Sequence, residues 1–324
     1  MPGFEKEWLD LNQYLYFLTK SIDDPYSRLA LANGFAAIHK TSRPKGDPKV
    51  VGELVRNGIS LLGEVLSNDQ VNDITKHIAS CKLFDREKQT YAQAEETGAF
   101  FTLQTRPQEA FVASMSFEDL IRCPHLLDIA IDPKILSNVG DYLGCPATIS
   151  TFVSWYSFPG NGEIPAEHFH RDRDDLRFVK LFVYLSDVDE GGGPHQYLPQ
   201  SHHPDIFAQY LAQRNIDIDV MQLFKGNMRQ LNDTFYMRVF EKDMMTICAP
   251  RGTCFLEDTY GLHRGFRPAT SSRLLFQVLY TTFPTKFASK TDRSEGFYRK
   301  MDPSSLNYDA LSPLQKYALR FFVN

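Results

Sequence analysis

The chain divides into two halves by the spacing of its apolar residues. Up to about residue 50, Trp8, Leu11, Tyr14, Leu15 and Leu18, and then Leu29 to Ile38, recur at helical intervals, so this part reads as a helical extension that packs onto something else. After the polar stretch Thr41 to Lys49, Gly58 to Leu62 reads as a short strand. A helix then starts at Ser67, where Ser67 and Gln70 have the spacing of a capping box. A second helix runs from Asp132-Pro133 to Gly144, with an acidic cap, proline in the first turn and glycine past the end.

Beyond Gly144 the period changes to two. Ile149 to Tyr156, Phe178 to Leu185, Gly252 to Leu256 and Arg273 to Tyr280 are rich in β-branched and aromatic residues and read as strands. Turns such as Asp189 to Pro194 separate them, which predicts a mainly β fold with flanking helices, a double-sheet jelly roll. Residues 204–240 break the rhythm and read as an insertion, a candidate lid. The expected organisation is one catalytic domain over 1–324: helical extension 1–50, core 55–282 and helical tail 283–324.

Composition narrows the function. The 324 residues are 43% hydrophobic and 23% charged, with formal charge −5 and no long run of like charge, so neither nucleic acid nor an anionic membrane is an expected partner. Five scattered cysteines without a CxxC pair suit reduced thiols. There is no secretory signal, no membrane-length apolar run and no C-terminal Ser-Lys-Leu, so a soluble cytoplasmic protein is expected.

The chemistry centres on His168-Phe169-His170-Arg171-Asp172 and, far downstream, His263. Two imidazoles and one carboxylate can fill one face of an octahedral ion and leave three positions open, as in non-haem Fe(II) oxygenases. Residues two apart on an extended segment point the same way, so His170 and Asp172 can reach one ion. Arg273 opens the last alternating strand on the same face as Gln277. A buried guanidinium beside such a site requires an anion, and a dicarboxylate cosubstrate supplies one.

Several stretches in register resemble the phytanoyl-CoA dioxygenase-like family of Fe(II)/2-oxoglutarate oxygenases: His170 to Asp172, Lys180 to Asp189, Gly193-Pro194, Leu198 to His202, and His263 with Arg273. The similarity runs from about residue 55 to 282. It implies a double-stranded β-helix, iron on His170, Asp172 and His263, and Arg273 clamping the distal carboxylate of 2-oxoglutarate. It also implies that Lys180, Phe182 and Tyr184 face the cosubstrate, with Gln104 a further contact; for Phe182 and Tyr184 a plain core role stays open. The implied reaction consumes O2 and 2-oxoglutarate, releases succinate and CO2 and hydroxylates a small molecule, because Asp172 is present where related halogenases leave room for a halide. Two departures stand out. Gln200 replaces the family's usual turn glycine, so a left-handed turn there cannot be assumed, and Gly191 to Gly193 replaces an Asn-Gly turn.

For substrate, Trp155, Tyr156 and Tyr260, with Arg171, Arg173, Arg264 and Arg267, suggest a small polar or anionic metabolite; the arginines could equally be a solvated rim. His168 has the parity of His170, leaving open a cupin-type site on that pair, a substrate contact, or a structural role. His202 and His203 read as structural, and His39, His77, His125 and His195 show no partner pattern. A non-catalytic jelly-roll binding module is the remaining alternative.

Overall fold

A computed structural model describes residues 19, 21–160, 167–224, 233–282, 301 and 306–323. The expected helical residues Trp8 to Leu18, part of the insertion (225–232) and most of 283–305 lie outside the described residues.

Among the described residues, ten strands form two antiparallel sheets. They are β1 (Ile59–Glu64), β2 (Leu83–Asp85), β3 (Val112–Met115), β4 (Thr148–Ser157), β5 (Phe178–Tyr184), β6 (His195–Tyr197), β7 (Met245–Ile247), β8 (Thr253–Glu257), β9 (His263–Gly265) and β10 (Arg273–Thr281). The large sheet runs β1-β8-β5-β10-β4-β3-β2 and the small one β7-β6-β9. This is the expected jelly-roll arrangement with flanking helices.

Alternation sorts the large sheet into two faces. Register places Leu275 opposite both Tyr184 and Trp155, Gln277 opposite Phe182 and Val153, and Leu279 opposite Lys180 and Thr151. These residues all line one cavity of about 380 Å³ between the sheets. The alternate set, including Leu181, Val183, Leu256, Leu274, Phe276, Val278 and Tyr280, faces outward and is buried under helices that supply Val71, Ile74, Ile78, Ile135, Leu136 and Val139. One sheet face therefore makes the main apolar core, and the other makes the site.

The local signals fold as expected. Ser67 caps the helix Asn68–Ser80 in a reciprocal box with Gln70, and the helix Pro133–Leu143 runs from the Asp132 cap to Gly144 at φ 82°. A further helix, Pro48–Asn57, carries the same punctuation, with Asp47 as cap and Gly58 at φ 78°. In the N-terminal helix Pro25–Ile38, the apolar spacing does not mark the packed face: Pro25, Arg28 and Ala32 are buried, while Leu31 and Ile38 are exposed.

The insertion packs onto the body of the fold. Its helices Pro204–Gln213 and Asp233–Phe240 join an aromatic cluster of Phe207, Tyr210, Phe224, Tyr236 and Phe240 against Phe169 and Leu262. No described residue of 204–240 lines the cavity between the sheets. Gln200 does take a left-handed φ of 70°, held by its amide bond to the Asn57 carbonyl (2.9 Å). Among the described residues, no helix is long and apolar enough to cross a membrane.

Of the three turn glycines, Gly193 alone has positive φ, 72°; a Cβ there would lie 2.6 Å from both the Phe266 carbonyl oxygen and the Pro268 nitrogen. Gly193→Ala is expected to lower stability in urea unfolding by about 1–3 kcal/mol. Gly63→Ala, at φ 77° with open space around it, should cost less. Equal losses would show that the packing at Gly193 is unimportant.

Candidate metal and anion site

The triad is assembled by backbone hydrogen bonds. The amide of His170 donates to the His263 carbonyl (2.9 Å), that of His263 donates back to His170 (3.1 Å), and the Asp172 amide donates to Thr259 (2.8 Å). Two distant segments are thereby fixed side by side, and the imidazole centroids lie 4.2 Å apart. Extended backbone at 170–172 turns both side chains the same way, although the segment is too short to count as a strand.

His170 Nδ1 lies 2.8 Å from the His168 carbonyl oxygen and His263 Nδ1 lies 3.0 Å from that of Gly261. A carbonyl only accepts, so each Nδ1 carries a proton; His170 Nε2 keeps its lone pair, while on His263 the hydrogen bond and charge of Asp172 outweigh burial and raise the pKa, so an ion binding at its Nε2 displaces a proton. His263 Nε2 is 3.4 Å and His170 Nε2 is 3.9 Å from Asp172 carboxylate oxygens. The three side chains offer one ligand atom each, all within 4.8 Å of one another. This set fits a divalent ion that takes imidazole nitrogen and carboxylate oxygen.

The electrostatics agree. Burial and the neighbouring His263 lower the His170 pKa to about 4, so it is neutral near pH 7. Burial alone would raise Asp172, but Lys180, His263 and His170 outweigh it and hold the carboxylate well below its usual range. Lys180 Nζ sits 2.5 Å from Asp172 and 3.0 Å from Asp174. Asp174 thus offers the ammonium a second partner, and a metal drawn to Asp172 would not strand it.

Arg273 occupies the other part of the cavity. It is 7% exposed, donates to the Gly193 carbonyl and, at 3.4 Å, to Ser157 Oγ, and leaves Nε without a partner. Among the described residues no carboxylate pairs with it. The guanidinium lies over Gly265, two positions after His263, where a Cβ would make an ordinary contact with Nη2 at 3.4 Å.

Phe182, Tyr184, Lys180 and Trp155 line this cavity together with the triad and Arg273. Five other candidates do not. Gln104 lies in an exposed turn. Tyr156 follows Trp155 on the strand, so it points to the other face and stacks on Phe158. Arg171 points away from the metal side for the same reason: its guanidinium binds the carbonyls of Leu223, Ser201 and Tyr260 and covers Phe224. Tyr260 belongs to a separate cavity. His168 contributes its carbonyl to His170, while its ring is absent from both the ligand cluster and the cavity wall, which removes the cupin-type pair. Of the four arginines considered for the substrate, Arg171, Arg173, Arg264 and Arg267, Arg267 alone lines the cavity.

Sequence reasoning missed a neighbour of the triad. His195 Nε2 lies 2.9 and 3.1 Å from the two oxygens of Glu257, a fully buried carboxyl, and the His195 ring stacks on His263 at 5.6 Å. Burial raises Glu257 to about 8, and burial with His263 and Arg273 lowers His195 well below 6.5. The two therefore form a neutral pair near pH 7, with the carboxyl proton donated to Nε2. The available signal was a glutamate at the inward register of an otherwise apolar strand, opposite Lys180.

No protein-family model matches the sequence. No curated protein matches it either. Among solved structures, the chain is similar to the non-haem α-ketoglutarate-dependent carbocyclase SnoK from nogalamycin biosynthesis, at 13% identity over 72% of this chain and 83% of that one (TM-score 0.45). It is also similar to HygX from Streptomyces hygroscopicus with nickel and 2-oxoglutarate bound, at 15% over 72% and 86% (TM-score 0.44). A third is EctD from S. alaskensis with bound Fe, at 16% over 74% and 83% (TM-score 0.45). These are likenesses in outline, and the reading of the site rests on its own side chains.

The buried pair has a pH signature. Folded Glu257 keeps its proton up to about 8 against an ordinary 4.5, so the native state binds more protons and stability falls as pH rises through that window. His263, raised above 6.5, adds a decline of the same sign, while His195 is neutral in both states above 6.5. Between pH 6.5 and 8 the metal-free protein should therefore lose stability, Glu257 contributing at most about 1.4 kcal/mol per pH unit. Urea unfolding of Glu257→Gln should show a shallower decline; a slope equal to wild type would refute the buried neutral pair.

Proposed function

We propose that the protein is an Fe(II)/2-oxoglutarate-dependent dioxygenase of the phytanoyl-CoA dioxygenase-like kind, hydroxylating a small polar or anionic metabolite. The observation that carries this reading is the pairing, in one cavity, of the His170/Asp172/His263 donor set with a buried Arg273 that lacks an anion. His170, Asp172 and His263 would hold the iron, and Arg273 would hold the distal carboxylate of 2-oxoglutarate through Nε and one Nη. The chemistry supplied by such an ion with its cosubstrate is activation of dioxygen, with succinate and CO2 as coproducts.

The chain's own part is placement and exclusion of water. Phe182, Tyr184, Leu275 and Trp155 wall the cavity. Arg273 fixes where a dicarboxylate points, and the His168 and Gly261 carbonyls fix the two imidazoles before any ion arrives. At the mouth, Arg86, Glu87, Glu167 and Arg267 mix both signs of charge, with Arg267 paired to Glu167 at 2.6 Å. A mouth of this kind supports a polar substrate over a long alkyl chain.

Anaerobic addition of Fe(II) and 2-oxoglutarate should give the visible charge-transfer band of the chelate in wild type, and the band should be lost or altered in Asp172→Ala. Arg273→Gln should keep the iron and weaken 2-oxoglutarate at least about 30-fold, as expected for removing one partner of a buried charged pair. Absence of the band in folded, iron-loaded wild type would sink the assignment.

A further inference from the structure

A second cavity, of about 230 Å³, shares no wall residue with the first. It lies between the helix Pro25–Ile38, the chain at Leu176, the turn before Pro204 and the β8–β9 loop at Tyr260. Most of its wall is apolar, including Leu29, Ala32 and Leu176, but its buried polar groups are unusual.

Arg28 is 1% exposed and sits in this wall. Its Nη atoms donate to the carbonyls of Thr19, Ile22 and Asp175, and its Nε has no partner. The guanidinium lies 5.3 Å from the centre of the Tyr260 ring, whose hydroxyl is buried and also has no partner. The Arg171 guanidinium lies 6.0 Å from the centre of the same ring, with its Nη2 unpartnered. Among the described residues neither arginine pairs with a carboxylate. Asp258, the acid in the wall, already accepts from the Tyr142 hydroxyl (2.5 Å) and the Tyr260 amide (3.0 Å).

Orphaned buried donors are rare, and when they cluster beside uncompensated charge they call for a ligand or an ion. The cavity is far larger than one water requires. We infer that it is a second binding site, for an organic anion whose carboxylate or phosphate head settles into the wall at Arg28 and Tyr260, where the unpartnered donors lie, while a short apolar body lies against Leu29, Ala32 and Leu176. This site is independent of the dioxygenase reading, since it uses none of the same side chains.

Titration calorimetry with hexanoate, benzoate and inorganic phosphate tests it on the full chain. Wild type should bind a carboxylate, Tyr260→Phe should weaken that binding at least about tenfold, and Ala32→Leu, which fills the cavity, should abolish it. Arg273→Gln should leave it unchanged, which keeps the two anion sites distinct. Loss of an orphaned hydroxyl should not lower the melting temperature, so Tyr260→Phe reports on binding rather than folding. No binding of any probe at millimolar concentration would overturn the proposal. So would binding that is lost in Arg273→Gln yet kept in the other two variants. Binding of phosphate alone would overturn the apolar body.

Discussion

The site depends on one reciprocal contact, the pair of backbone hydrogen bonds between His170 and His263. It brings the segment at His170 against the start of β9, the edge strand of the small sheet. Each histidine is then oriented by a carbonyl two residues before it in its own segment, His168 for one and Gly261 for the other. The Asp172 amide on Thr259 extends the contact by one step, so all three donor groups are positioned by main chain rather than by packing alone. Arg171, between the two ligands, necessarily points backward, and its bonds to three carbonyls pin this region from behind.

Charge is distributed along this cavity with little left to chance. On the triad side Lys180 faces both Asp172 and Asp174, so Asp172 is held ionised and two carboxylates share one ammonium, which suits the spot to a cation. Around Arg273 the situation is reversed: Gly193 and Ser157 satisfy part of the guanidinium, and no described acid completes it. A ligand bridging the two regions needs an anionic end for Arg273 and metal-binding oxygens for the other. The neutral His195–Glu257 pair beside His263 adds shape without adding charge.

Much of this was legible because it follows from periods. The four long strands, the capped helices after Ser67 and Asp132, and the shared face of His170 with Asp172 all rest on local rules. The same rules also explain the errors. Alternation that turns His170 and Asp172 inward turns Arg171 outward, and Trp155 inward means Tyr156 outward; taking Arg171 and Tyr156 as substrate contacts beside Trp155 ignored the parity. The helix Pro48–Asn57 went unread although Asp47-Pro48 and Gly58 punctuate it as Asp132-Pro133 and Gly144 punctuate another. The strands of the small sheet are three residues each, too short for any period to show. The partnership of His195 with Glu257 joins positions far apart in the chain, and nothing local announces it.

Buried arginines separate structure from function more sharply than their burial does. Arg28, Arg171 and Arg273 all rely on backbone carbonyls, although Arg171 is half-buried where the other two are buried. What differs is where the side chain sits. Each of the three keeps one unpartnered donor, but Arg28 and Arg273 each line a cavity, whereas Arg171 lines neither and has its charge spread over Phe224 and three carbonyls. A guanidinium enclosed by main chain completes a loop. One that also forms the wall of a cavity is placed to take a partner that the chain does not contain.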